Sequence, residues 1–137
     1  MVRHVLVPVE DSESSYNALE YAVSEYPDAQ ITALEVSDPI DLLKSDQVDN
    51  IFESSDQHEK DLRLQRVRNR AIEQGTHLSG DRTTGEVIGE ILNYAAEHDV
   101  DHIVVGVSER SGTRWFFSEN MTDKLSRKAS IPVTIIQ

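Results

Sequence analysis

Two stretches of the chain gather side chains that could do chemistry. The first is Glu10-Asp11-Ser12-Glu13-Ser14-Ser15, where carboxylates and hydroxyls alternate. Such a run can ligate a metal, or it can supply turn and N-cap oxygens to a following helix. Capping is the simpler reading of Glu10, Asp11 and Glu13. The second runs from Gly106 to Met121 and holds Ser108, Glu109, Arg110, Ser111, Gly112, Arg114, Glu119 and Asn120. Ser108 and Ser111 have no base close in sequence, so they read as loop-capping hydroxyls, not nucleophiles. Glu119, at an expected helix start, would favour the macrodipole by about 0.3–1 kcal/mol whatever else it does. Trp115-Phe116-Phe117 reads as packing for that helix, with a partner surface as the alternative. The five histidines are dispersed. His98 and His102 straddle a helix end and a strand, which argues against a zinc site. Without cysteine, thiolate and disulfide chemistry are excluded.

These residues need strands and helices to hold them. Val2 to Val9 is rich in β-branched residues, with Pro8 near its end. Ala18, Leu19, Ala22 and Val23 then form a helical stripe, stopped by Pro27-Asp28. Ala29 to Val36 reads as a second strand. Residues 37–54 show no clean period and read as a loop. Ser55 to Gln74 is a charged helix with a weak stripe (Leu62, Leu64, Val67, Ala71, Ile72), most simply a solvated face, and Gly75 suits its C′ position. Thr76 to Thr83 is polar for a strand and contains Gly80, which suits a sheet edge. Glu86 to His98 has the clearest helical spacing, through Val87, Ile88, Ile91, Leu92 and Ala95. Ile103-Val104-Val105 predicts a strand covered on both faces. Ser118 can cap a last helix, Glu119 to Lys128, and Pro132 to Ile136 closes the chain as a strand.

Strands alternating with helices predict an α/β fold: a three-layer α/β/α arrangement around an open, doubly wound, five-stranded parallel sheet. Ligands in such sheets sit beyond the carboxyl ends of the strands, where the winding reverses. That singles out the loops after Val9, Val36 and Gly106. The 137 residues fit one domain, expected over 1–137. The apolar runs are short, and Met1-Val2-Arg3-His4 leads straight into a strand with no cleavable signal. The expectation is a cytoplasmic protein off the membrane. The net charge is −12, from 25 acidic and 13 basic residues. Such a surface has no basic stripe for nucleic acid. The acids are scattered and form no tail, which fits a high-salt, halophilic cytoplasm where self-repulsion is screened.

Three stretches together resemble the universal stress protein family. They are Val5-Leu6-Val7-Pro8-Val9-Glu10-Asp11-Ser12-Glu13 with Ser15, Ala18, Leu19 and Ala22; Gly85, Ile91 and Ala95 with Asp101-His102-Ile103-Val104-Val105-Gly106; and the segment from Gly106 to Ile131-Pro132-Val133-Thr134-Ile135-Ile136. The resemblance runs the length of the chain except for roughly 38–60. It implies a homodimer in which Val133, Thr134, Ile135 and Ile136 pair with their copies across a two-fold axis. An apolar terminal strand with an open edge needs such a partner.

The resemblance also implies an ATP site, and the site departs from the family's pattern. ATP-binding members carry Gly-x2-Gly-x9-Gly-Ser/Thr after the fourth strand, where backbone N–H groups and a helix N-terminus wrap phosphates. Gly106 matches the first glycine, but Glu109 takes the second, and Glu119 and Asn120 take the final Gly-Ser/Thr. A carboxylate several ångströms from a phosphate costs on the order of 2–4 kcal/mol at an effective dielectric of about 20. Arg110, Gly112 and Arg114 could restore some positive charge and N–H donors. The family's aspartate after the first strand aligns with Glu10, and Val36 matches a backbone contact to adenine. The candidate nucleotide residues are therefore Pro8, Val9, Glu10, Val36, Gly106, Glu109, Arg110, Gly112, Glu119, Asn120 and Met121. The first expectation is a non-enzymatic homodimer with weak or absent ATP binding and no required cofactor, acting on a protein partner still to be identified. The alternative is a module that holds ATP or AMP with magnesium, with slow hydrolysis left open.

Overall fold

The computed structural model of the chain describes residues 1–10, 12–37, 57–107 and 117–137. Among these residues nine elements follow in order: β1 (His4–Val9), α1 (Glu13–Glu25), β2 (Gln30–Ser37), α2 (Gln57–Gln74), β3 (His77–Thr84), α3 (Val87–Glu97), β4 (His102–Gly106), α4 (Glu119–Lys128) and β5 (Val133–Ile136). The five strands form one sheet in the order β3-β2-β1-β4-β5, and all four neighbouring pairs are parallel. This is the expected doubly wound architecture, with the winding reversing between β1 and β4.

Strand alternation sends neighbouring side chains to opposite layers. Val5, Val7, Val9, Ile31 and Val104 pack against Ala18, Leu19, Ala22 and Val23 of α1 and Val67 and Ala71 of α2. Leu6, Leu34, Val36, Ile103 and Val105 pack on the other face, against Ile88, Ile91 and Ala95 of α3 and Leu125 of α4. Both faces of the central strands are covered, so β1 is buried at every position. Leu34 and Val36 are inward, as are Ile31 and Ala33, but toward opposite layers. Phe117 is buried in the second core, as its packing role predicts, while Trp115 and Phe116 lie outside the described residues.

β3 is the polar edge the sequence suggests. The helices start and stop for identifiable reasons. Ser12 and Ser118 cap α1 and α4 by accepting from Ser15 N and Met121 N. Glu86 caps α3 by accepting from Gly89 N, and the helix begins one residue later than its periodicity suggests. Gly75 follows α2 with φ +73°, the left-handed conformation that glycine adopts without a Cβ penalty.

Candidate functional site

The crevice at the winding reversal has a backbone cause. His4 O accepts from Asp101 N, so the even-numbered residues of β1 present their peptide groups to β4. Pro8 falls on that side and has no N–H to donate. The β1–β4 ladder runs through Val5↔His102 and Leu6↔Ile103 and goes no further. The β1–β2 ladder, on the other side, continues to Val9↔Glu35. The carboxyl ends of β1 and β4 therefore part just where the chain turns into α1. Pro8, Val9 and Glu10 at the end of β1 and Gly106 at the end of β4 flank the crevice, and Val36 lies one strand away at the carboxyl end of β2.

Glu10 is buried and tied into the cap of α1. Its N–H donates to Ser15 Oγ at 2.8 Å, and its Oε1 accepts from Ser12 Oγ at 3.2 Å. Ser12 Oγ also lies 3.0 Å from Ser14 Oγ. The carboxylate-hydroxyl run thus builds a helix start, with Glu13 as the acid of the first turn. Asp11 lies outside the described residues.

Gly106 has a packing reason to be glycine. A Cβ placed on it would overlap the Ser14 carbonyl oxygen and stand 2.5 Å from the Ser14 carbonyl carbon. Only a bare backbone lets the first turn of α1 seat against the end of β4. This role holds with or without a nucleotide.

The far end of the expected phosphate loop is α4. Ser118 Oγ accepts from Met121 N, at 3.2 Å, and Thr122 N donates to Ser118 O, at 2.9 Å. Glu119 and Asn120 are exposed on the first turn, and Met121 is half-buried. The helix start is thus partly satisfied by its own cap, with a carboxylate beside it. Glu109, Arg110 and Gly112 lie outside the described residues.

A cavity of about 310 Å³ opens beside Val9, on the layer that holds α1 and α2. Among the described residues, Ala33, Glu35, Gly80, Asp81 and Arg82 also line it. Glu35 is buried, and its Oε2 lies 3.4 Å from Arg82 Nη2 in an ion pair. The two are register partners on β2 and β3. Sequence reading passed over both. The signal was an acid inside the apolar run from Ile31 to Val36, since a buried carboxylate calls for a cation on a neighbouring strand.

The two histidines weighed as a zinc pair separate cleanly. His98 is exposed and stacks on Tyr94, with ring centroids 3.8 Å apart. His102 lies on the opposite side of the sheet, against the Tyr26 ring and 2.6 Å from Thr134 Oγ1. Among the described residues no cluster of three potential metal ligands occurs. No helix among them is long and apolar enough to cross a membrane.

An open parallel sheet with a crevice at its winding reversal defines the class of α/β proteins built to receive ligands at strand ends. The family model described as the Universal stress protein family matches residues 1–137, and the chain belongs to that family. A curated relative, Universal stress protein YxiE of Bacillus subtilis (strain 168), is 32% identical over 74 residues. That match takes in 54% of this chain and spans half the relative's length (50%). Universal stress protein UspA from Lactobacillus plantarum has a solved structure that is similar at 25% identity and TM-score 0.72, covering 99% of this chain and 98% of that one. A universal stress protein crystallised in complex with cAMP shares the fold at 17% identity and TM-score 0.66, covering 99% and 97%.

Proposed function

We propose that this protein is a homodimeric association module of its family, joined through β5, with weak nucleotide binding. The observation that carries the nucleotide half is the start of α4. Where a phosphate would need free N–H donors, Ser118 already takes Met121 N and Glu119 adds a negative charge. The dimer half rests on β5, whose outer side has no strand partner among the described residues and whose Ile135 is 39% exposed. The acidic surface suits work in a high-salt cytoplasm and disfavours nucleic acid as the partner.

A second reading is supported by a separate observation. Pro8, Val9, Glu10, Val36 and Gly106 gather at the ends of three adjacent strands, and a similar structure holds cAMP. On this reading ATP or AMP spans the crevice, and a magnesium ion bridges its phosphates to a carboxylate. Titration calorimetry with ATP and magnesium, at low and high salt, decides between them. Absence of heat at millimolar nucleotide supports the association module. Micromolar binding at either salt overturns the weak-binding half of the proposal and promotes the second reading.

A further inference from the structure

We propose that the outward face of α2 is a second self-association surface, on which two copies pair their α2 helices antiparallel about a two-fold axis. Large exposed apolar side chains are few among the described residues: Met1 at the terminus, Ile135 on the edge strand, and Leu62 and Ile72, both on α2. Leu62 is 51% exposed and Ile72 76% exposed. With Gln65 and Asn69, also exposed, they occupy the spacing i, i+3, i+7, i+10. That spacing is the a/d seam of a helix pair. The seam lies opposite the stripe of Val67 and Ala71 that α2 buries against the sheet layer.

The occupant follows from the seam's own chemistry, which is complementary to itself when reversed. In antiparallel register Leu62 of one copy meets Ile72 of the other, and Gln65 meets Asn69. Within each helix Gln65 Nε2 donates to Asn69 Oδ1 at 3.1 Å. That bond leaves the Gln65 carbonyl oxygen as an acceptor and the Asn69 amide as a donor on the outer face. Across the axis each finds its opposite in the other copy. Arg66 and Glu73 flank the seam on one side, and both are exposed. Helical side chains lean toward their own N-terminus, which carries Arg66 toward Glu73 of the other copy and away from the second Arg66.

Charge favours this face over the rest of the molecule. Residues 57–74 hold five basic residues against three acidic ones in a chain of net charge −12. Two copies approaching elsewhere bring strongly acidic surfaces together, whereas copies approaching through α2 bring together two helices of small positive charge, a weaker repulsion that the crossed Arg66–Glu73 pairs offset. A few turns of helix bury an area at the weak end of stable interfaces. The contact therefore joins dimers already held through β5 more readily than it joins monomers. Two distinct two-fold contacts on one chain give a tetramer if they close and a chain of dimers if they do not.

The test is sedimentation of the full chain over a concentration series, with circular dichroism to confirm folding. The wild type is expected to assemble beyond the dimer. Ile72→Glu, at an exposed helical position, should remove that last step. Arg66→Glu should weaken it, and Arg66→Glu combined with Glu73→Arg should restore it. A wild type that never exceeds a dimer lost on Ile135→Asp overturns the proposal, as does an Ile72→Glu variant that assembles like wild type or a charge swap that restores nothing. Failure of the β5 dimer is distinguishable. In that case α2 pairing is read as a dimer that survives Ile135→Asp and is lost on Ile72→Glu.

Discussion

The two edges of the sheet face the same hazard, unpaired backbone groups that can recruit another strand, and they meet it in opposite ways. β3 is eight residues long and carries His77, Asp81 and Arg82, with Gly80 in the middle. Arg82 reaches back to buried Glu35, and Tyr94 of α3 donates its hydroxyl to Asp81 at 2.9 Å. β5 is four residues of Val-Thr-Ile-Ile, each only partly covered. Its link inward is the 2.6 Å contact between His102 and Thr134, and its last pair sets Ile136 beside Gly106. One edge is closed by charge. The other is left apolar and short, which suits an edge that pairs with its own copy.

The largest expected effect tests the support beneath β5. Gly106→Ala puts a methyl group into the Ser14 backbone, so α1 must withdraw from the end of β4. Overpacking of this kind costs about 1–3 kcal/mol or more, read as a lower urea midpoint at unchanged slope. A full-stability variant would show that α1 yields freely there. Next, at a concentration too low to populate the weak α2 contact, Ile135→Asp should halve the mass seen by light scattering, to the 15.4 kDa of one chain, with little change in folding. An unchanged dimer would place the interface off β5. At the other edge, Arg82→Leu removes a cation from buried Glu35. A buried pair broken on one side costs about 3–5 kcal/mol. Arg82 is half-exposed and screened, so about 1–2 kcal/mol is expected by chemical denaturation. Aggregation of this variant, absent from wild type, would confirm that charge keeps β3 closed.

Much of this contrast was legible in the sequence, because it rests on local pattern. The run Ile103-Val104-Val105 announced a strand covered on both faces, and the polar Thr76–Thr83 announced an edge. The stripe on α1 was readable because helical spacing needs no tertiary partner. What escaped depends on register, which period alone does not fix. Glu35 and Arg82 are 47 residues apart and meet only because β2 and β3 align them. Pro8 reads as lying near the end of a strand, and it is the penultimate residue of β1. What period alone does not show is that the strand is central and that the missing N–H falls on the β4 side, where it opens the crevice. Gly106 was read through a phosphate loop, and only the nearness of Ser14 gives it a steric reason. The exposed seam on α2 was read as part of the apolar stripe. Leu62 and Ile72 belong to the outward side, and Leu64, Val67 and Ala71 to the inward one.

The two edges should also loosen at opposite ends of the pH scale. Burial holds the His102 imidazole below its ordinary value. The unfolded chain therefore binds the proton first, and stability falls as pH drops below about 6.5 toward the lowered folded value. His102→Gln should flatten this acid-side slope, read from melting temperatures between neutral and mildly acid pH. An unchanged slope would put the acid sensitivity elsewhere.

At β3 the sign reverses. Burial first, then the hydrogen bond to Asp81 and its charge, raise the Tyr94 phenol to about 12. The folded state holds that proton more tightly than the unfolded chain, whose phenol titrates near 10. The contribution is complete below pH of about 10 and is lost as pH rises from there toward about 12. Tyr94 lies at the surface, so the effect is the smallest of the five. Tyr94→Phe should remove the part of the alkaline destabilisation that comes from this bond and leave the acid side untouched. Hydrogen exchange localises it: in wild type the amides of β3 should lose protection before those of β5 as the phenol ionises, and in Tyr94→Phe that order should disappear. If β5 opened first in alkali, the Tyr94–Asp81 bond would not be what holds β3 to the body of the sheet.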